Sequence, residues 1–387
     1  MLGSNQEEVF LGRDFAQTKE YSEATAAIID EETNDNKFQI DANGTVIHKV
    51  RIKLKSDFVY EKLIDNLNLM VKTTSPKSST TNIKKVVLNL PHNFNTVILN
   101  SMPIKQSPSS FTSMESVNGF LYKINEMTSD SYTYYYRGVI NNNYVLFADK
   151  LWRIVRIDSN GNVRIVLNDN VETKSKYSSN YSSGSVEKIE DAITLIDYKN
   201  SDVKKNVELW YNQNIATKEA SKFVMNSNFC IDKSYQNPID TVHVHSVSYF
   251  TPYLHVGPDA SKFRPDFTCS NENIFASSVG LLSAEEILAA GGYWAVNNTN
   301  YYLYNPNVAP ENQTSWTMSG SYYSVSEKQV GVIVYNQNDG TNIGSLFDWV
   351  SGGNLLQDYG YRPVISLDGN SKILGDGTID NPYQLLE

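Results

Sequence analysis

The sequence is poorest in the residues that usually give a chemistry away. It has 5 histidines and 2 cysteines in 387 residues. The cysteines, Cys230 in NFCID and Cys269 in FTCSN, stand far apart, and neither belongs to a Cys-x-x-Cys pair, which excludes a zinc ribbon or a thioredoxin-like redox site. A structural disulfide and two buried thiols both remain open from these residues alone. There is no His-Glu-x-x-His, no Gly-x-x-x-x-Gly-Lys-Ser/Thr loop and no Gly-x-Ser-x-Gly elbow, so no catalytic residue is assigned and no cofactor is called for. No apolar run approaches the roughly 18 residues of a membrane-spanning helix. The opening MLGSNQEE lacks the basic region and apolar core of a secretory signal. Excess positive charge is missing too. With 33 Lys and Arg against 43 Asp and Glu, the net charge is −10, a field that repels phosphate backbones and excludes nucleic acid as the main partner.

What is present is globular and rich in tyrosine: 25 Tyr within a 12% aromatic share, over a length sufficient for two or three domains. Residues 1–33 are charged. Ser22 is placed to cap a short helix carrying Ala24, Ala27, Ile28 and Glu31, whose apolar stripe has no obvious partner. From residue 34 the pattern changes. VIHKVRIKL alternates with period two, KKVVLNL and NTVILN read as further strands, and an Asn43-Gly44 turn sits among them. This predicts a β-rich module over 34–115, then a linker at 116–131.

The remaining residues, 132–387, read as one α+β domain. Asn160-Gly161 lies between two apolar runs, with Val163, Ile165 and Leu167 on one face of the return strand. Ile189, Ala192, Ile193 and Ile196 keep helical spacing, as do Val203, Val207 and Trp210 after a cap at Asp202. Ser283-Ala284-Glu285-Glu286 is a capping box ahead of ILAA, closed by Gly291-Gly292. YRPVISL predicts a terminal strand.

Two resemblances follow from these motifs. VFLGRD with YSEATAAIIDEE, within residues 3–33, resembles a late piece of the peptidase domain of the FtsH family, ATP-dependent zinc proteases. The zinc helix and nucleotide loop that this family requires are not in the chain, so the resemblance implies ancestry of the segment and no activity. Over 132–387, the ordered motifs YYYRG, NNYVLFADKLWRIVRI, LWYNQN, FCIDKS, TCSN, SSVGLLSAEEILAAGG, NYYLYN, SWTMS and YGYRPVISL resemble uncharacterised secreted or surface proteins of low-GC Firmicutes. The ending is similar to the last strand of C-type-lectin-like and formylglycine-generating-enzyme-like folds. This implies a lectin-like α+β domain located outside the cell or at its surface, and a disulfide between Cys230 and Cys269.

Three groups of residues are candidate sites, and each has a plainer reading. His243 and His245 alternate on a predicted strand and could share a metal with Asp240 or His255, although such pairs are more often hydrogen-bonded than metallated. Arg153, Arg156, Arg164 and Arg362 form either an anion site or solvated salt-bridging faces, Arg362 tying the last strand to a loop. The loops YSSNYSSGS, NNTNYYLYN and GSYYSVS combine Tyr, Ser and Asn as recognition surfaces do, which nominates Tyr301, Tyr302, Tyr304 and Trp316 as ligand-binding residues. The reading taken forward is a non-catalytic recognition or adhesion protein whose partner is a glycan or a surface protein. The alternative is an enzyme, either a hydrolase using His243 and His245 or an ATP-dependent zinc protease. A casein-cleavage assay with added zinc and ATP is expected to show no turnover above buffer; cleavage lost on chelation would reverse that reading.

Overall fold

In the computed structural model the described residues run from 93 to 386, apart from 109–110, 112–118, 126–130, 237–246, 258–266, 268–270, 295–296, 307–313, 338–345 and 348–353. Before residue 93 they are 8–11, 26–30, 50–54, 66–74, 81–89 and 92. The protein is a mixed α+β structure dominated by sheets. It divides into two compact units, Met1–His92 and Asn93–Glu387.

In the first unit Asn66–Thr74 pairs antiparallel with both Glu8–Leu11 and Thr81–Asn89, and Ala26–Asp30 pairs antiparallel with Val50–Leu54. The helix expected near Ser22 is therefore a strand at residues 26–30. A lone amphipathic turn of that length is marginal in water, and Ile28 and Ile29 favour a pleated partner. The expected Asn43-Gly44 turn lies outside the described residues.

The second unit opens with a helix, Phe94–Asn100, where a strand was expected. Phe94 and Ile98, four residues apart, are both fully buried, so helical spacing wins over the local β-branched content. The central sheet runs, in spatial order, Val224–Met225, Val364–Leu367, Val163–Leu167, Lys150–Ile157, Tyr132–Arg137, Phe120–Asn125 and Ile104–Gln106, with Tyr144–Phe147 hairpinned onto Lys150–Ile157. The terminal strand lies beside the return strand of the Asn160-Gly161 hairpin. Gly161 takes φ +81°, and Asp158 accepts from the backbone N–H of Asn160 and Asn162, which closes the turn. A second sheet is built on the long hairpin Thr314–Ser324 and Gln329–Asn336.

One irregularity organises the interior. The pairing of Lys150–Ile157 with Val163–Leu167 shifts between Ile154 and Arg156, a β-bulge at Val155. Arg153 then lies opposite Val166 and Arg156 opposite Arg164, so all three arginines share a face; without the extra residue Arg153 and Arg156 would point apart. Arg137 joins that face through the pairing of Tyr135 with Arg156. The opposite face, with Trp152, Ile154, Ile165, Leu167, Ile365 and Leu367, is apolar and buried.

The arginine face is covered by the helix Ala284–Ala290, every residue of which is buried. Glu286 closes the capping box with Ser283, and its other oxygen accepts from Arg156 Nε and Arg164 Nη1, each at 2.9 Å. Arg156 and Arg164 are direct cross-strand neighbours, an arrangement that repels unless a counter-charge lies between them. At the helix's other end Arg137 Nη1 donates to the carbonyls of Leu288 and Ala289 at 2.6 and 3.0 Å, where the helix dipole is negative. The helix is thus pinned to the sheet at both ends by guanidinium groups. These arginines are buried, so the expectation of solvated faces is corrected. The capping box is as expected and carries a second role besides.

Burial pushes the Glu286 carboxyl up, but Arg164 and Arg156 pull it further down, leaving it below its ordinary value. A depressed folded value means that the stabilisation is complete above the unfolded carboxylate's titration, near pH ~4.3, and is lost as pH falls through the folded value. Glu286→Gln is expected to cost about 3–5 kcal/mol at pH 7, because it leaves two guanidiniums buried without a counter-charge. Urea denaturation of both proteins at pH 7 and pH 3 should show the gap narrowing in acid; an equal gap at both would refute the assignment.

Candidate functional site

The apolar face of the central sheet leads to a cleft of about 520 Å³, lined by Lys150, Leu151, Leu167, Asp169, Asn170, Val171, Glu172, Thr173, Trp210 and Asn214. Three pieces of backbone build it.

The first wall is the loop that follows Val163–Leu167. It is stitched to the segment before the terminal strand: Leu167 N–H donates to Pro363 O, Val171 N–H to Tyr361 O and Ser175 N–H to Tyr359 O. Arg362 Nε donates to Leu167 O at 2.8 Å and Nη1 to Leu303 O, the strand-to-loop tie expected of this residue. Asn170 Oδ1 accepts from Ser315 Oγ at 2.7 Å, and the Asn170 amide packs against Gly360, where a β-carbon would stand 2.5 Å from its Nδ2. Asp169 accepts from Asn305 at 2.5 Å and from Asn168 at 3.1 Å. The wall is held by backbone and amide bonds, so its carboxylate is oriented before any ligand arrives.

The second wall is the helix Asp202–Tyr211. Ser201 caps it by accepting from Lys204 N–H, one residue earlier than the sequence suggested. Val203 and Val207 are buried, and Trp210, next on that stripe, is half-buried at the rim. Trp210 meets Trp152 edge to face at 6.1 Å, so a core residue from the sheet fixes the ring. The helix continues as a π-turn, Asn212–Ala216, in which Asn214 Nδ2 donates to Trp210 O. Asp202 anchors the start by accepting from Lys205 and from the Ser179 backbone; these bonds hold its carboxyl down to about 2.

The third wall is the tight turn into Lys150–Ile157. Ala148 and Asp149 both take positive φ, 51° and 63°, as a two-residue hairpin turn of this kind requires, though neither is glycine. Lys218 clamps the turn, donating to Ala148 O and pairing with Asp149 at 2.6 Å. Lys150 follows, its ammonium 5.6 Å from the centre of the Trp210 ring. The cleft therefore offers an aromatic surface, one ammonium, two carboxylates, two amides and a hydroxyl.

The sequence-nominated ligand residues lie elsewhere. Tyr301, Tyr302 and Trp316 are 3%, 5% and 2% exposed, and Tyr304 is half-buried. Trp316 donates to Ser175 O at 2.7 Å and meets Tyr177 and Tyr359 edge-on. The first three are core residues, which corrects their placement on a recognition surface: the loops carrying them fold inward because large rings stabilise most when buried. His243 and His245, with Asp240, lie outside the described residues, as does Cys269, so the expected pairing with Cys230 falls there too. Cys230 is half-buried on the strand Ser227–Cys230, opposite Ile274. His255 meets Glu285 at 2.6 Å. Among the described residues no group of three or more His, Cys, Asp or Glu is arranged to hold a metal ion, and no helix is long and apolar enough to cross a membrane.

Trp210 and its neighbours escaped sequence reasoning because the helical spacing of Val203, Val207 and Trp210 reads as core. The usable signal was position: Trp210 lies at the end of that stripe, within LWYNQN and just ahead of its polar Asn212-Gln213-Asn214. No family model, curated protein or solved structure matches the chain.

Gly360→Ala is expected to push Asn170 off Ser315 and cost about 1–3 kcal/mol. Denaturant unfolding followed by tryptophan fluorescence reads this directly; a change below ~0.5 kcal/mol would show that the wall yields freely.

Proposed function

We propose that this protein is a recognition protein acting outside the cell or at its surface, and that the Trp210 cleft holds a hydroxyl-rich ligand, a segment of a glycan. The observation that carries the reading is the pairing of a positioned indole with pre-oriented polar groups in one cleft. The volume falls within the range of small-ligand sites, roughly 300–1,000 Å³. A saccharide ring has an apolar C–H face and an equatorial rim of hydroxyls. The Trp210 ring suits the face, while Asp169, Glu172, Thr173 and Asn214 suit hydroxyls, each of which both donates and accepts.

Rigidity supports the same reading. Asp169 and Asn170 are fixed by hydrogen bonds within the protein, and Trp210 by Trp152, so binding orders few additional side chains. The acidic charge balance favours neutral glycans over polyanionic ones. The surface-protein resemblance of residues 132–387 agrees with this setting.

A glycan array followed by calorimetric titration tests the proposal. Trp210→Ala is expected to weaken binding at least tenfold, about 1.4 kcal/mol, with far-UV circular dichroism unchanged. Silence on the array and in a surface-protein pull-down, or a Trp210→Ala variant that binds as tightly, would overturn it.

A further inference from the structure

Among the described residues, the interior beneath the helix Ala284–Ala290 carries more buried arginines than carboxylates that pair with them. Arg153, Arg156, Arg164 and Arg362 are all at most 5% exposed. Glu286 is the carboxylate among them, and it is committed to Arg156 and Arg164. Arg153 and Arg362 form no ion pair among the described residues. Arg362 is anchored on the carbonyls of Leu167 and Leu303. Arg153 has one such anchor, Nη2 to Ile140 O at 2.6 Å, and its Nε reaches no hydrogen-bond partner. Its guanidinium lies 3.8 Å from the ring centre of Tyr144 and 5.4 Å from that of Tyr302. The Tyr302 hydroxyl, also buried, is likewise without a hydrogen-bond partner.

Two buried polar groups, a guanidinium and the hydroxyl of a tyrosine whose ring centre lies 5.4 Å from it, are thus shielded from solvent and unmatched. Leaving such groups unmet costs about 1–3 kcal/mol each, more when charged, so native interiors supply a partner. The partner of Arg153 Nε must be an acceptor, and a tyrosine hydroxyl can donate to the same acceptor. Water would satisfy the hydrogen bonds but leave the charge imbalance untouched. An anion satisfies both.

We infer that Arg153 and Tyr302 hold a small monovalent anion of halide size inside the C-terminal unit. The aromatic rings crowding the guanidinium favour a monoatomic ion over an organic carboxylate. Arg362 adds to the positive potential there: burial lowers Arg153 to about 10, and the Arg362 charge pushes the same way, against the opposing effect of Tyr144 and Tyr302. The ion adds a negative charge to a sheet face on which Glu286 already meets Arg156 and Arg164, so it acts as a second counter-charge fixing that face against its cover. This site is separate from the Trp210 cleft and independent of glycan binding.

The test is thermal unfolding of the full chain at constant ionic strength, exchanging potassium gluconate for potassium chloride or bromide. Tryptophan fluorescence reports on the right unit, since all five Trp lie between residues 152 and 349. The midpoint is expected to rise by about 3 °C or more at saturating chloride, as mass action requires for a ligand of the folded state. Arg153→Met should lose the chloride-dependent rise and Tyr302→Phe should reduce it. Crystals soaked in bromide should show an anomalous peak between Arg153 and Tyr302, a readout that holds even if Arg153→Met does not fold. A midpoint indifferent to the anion, a rise undiminished in Arg153→Met, or an ordered water at that position overturns the inference.

Discussion

A single carboxylate decides how the larger unit is assembled. Glu286 lies between two arginines that the sheet register places directly opposite each other, and it belongs to a helix that has no exposed face. Remove the charge and the hairpin carries two buried cations side by side; remove the arginines and the helix loses its attachment at the first turn. Neither element is stable in this geometry without the other, which is the usual condition for a buried ion cluster to specify an arrangement even where its net stabilisation is small. The bulge at Val155 belongs to the same constraint, because without it Arg153 would lie on the apolar face.

The segregation that results explains where a ligand can be held. One face of the central sheet is polar, cationic and sealed by a helix. The other is apolar and meets the helix Asp202–Tyr211, which is two-sided and ends at the protein surface. A cleft can open only at such a boundary, where a core aromatic reaches the solvent and polar loops begin. Trp210 is that residue. Its backing by Trp152 connects the cleft to the same strand that carries the buried arginines, with alternate residues of Lys150–Ile157 serving the two faces.

Much of this architecture could be read in the sequence, and the failures share a cause. Local signals with a fixed chemistry held up: the Asn160-Gly161 hairpin, the Ser283–Glu286 capping box, both middle helices and the terminal strand. Signals that depend on a partner did not. NTVILN reads as a strand until Phe94 and Ile98 are seen against one core, and residues 26–30 read as a helix until Val50–Leu54 is seen beside them. The arginines read as surface charge because the carboxylate that neutralises two of them stands more than a hundred residues away. Sequence spacing has no access to that separation.

The tyrosine-rich composition shows the same limit from another side. Tyr, Ser and Asn together suggest an adaptable surface, yet here many tyrosines bridge core and loop: Tyr177 donates to Ile196 O, Tyr323 to Val186 O and Tyr335 to Leu303 O. Long irregular segments carry backbone carbonyls that no ladder satisfies, and a buried phenol meets such a carbonyl while filling volume as phenylalanine would. A domain with this much loop therefore gains stability from tyrosine without any ligand. By the same reasoning, the aromatic available for recognition is one that donates to no loop and keeps part of its ring in solvent. Trp210 has its ring fixed by another indole and its rim exposed. The composition thus describes how the loops are held, and the proposed binding rests on the one ring at the cleft.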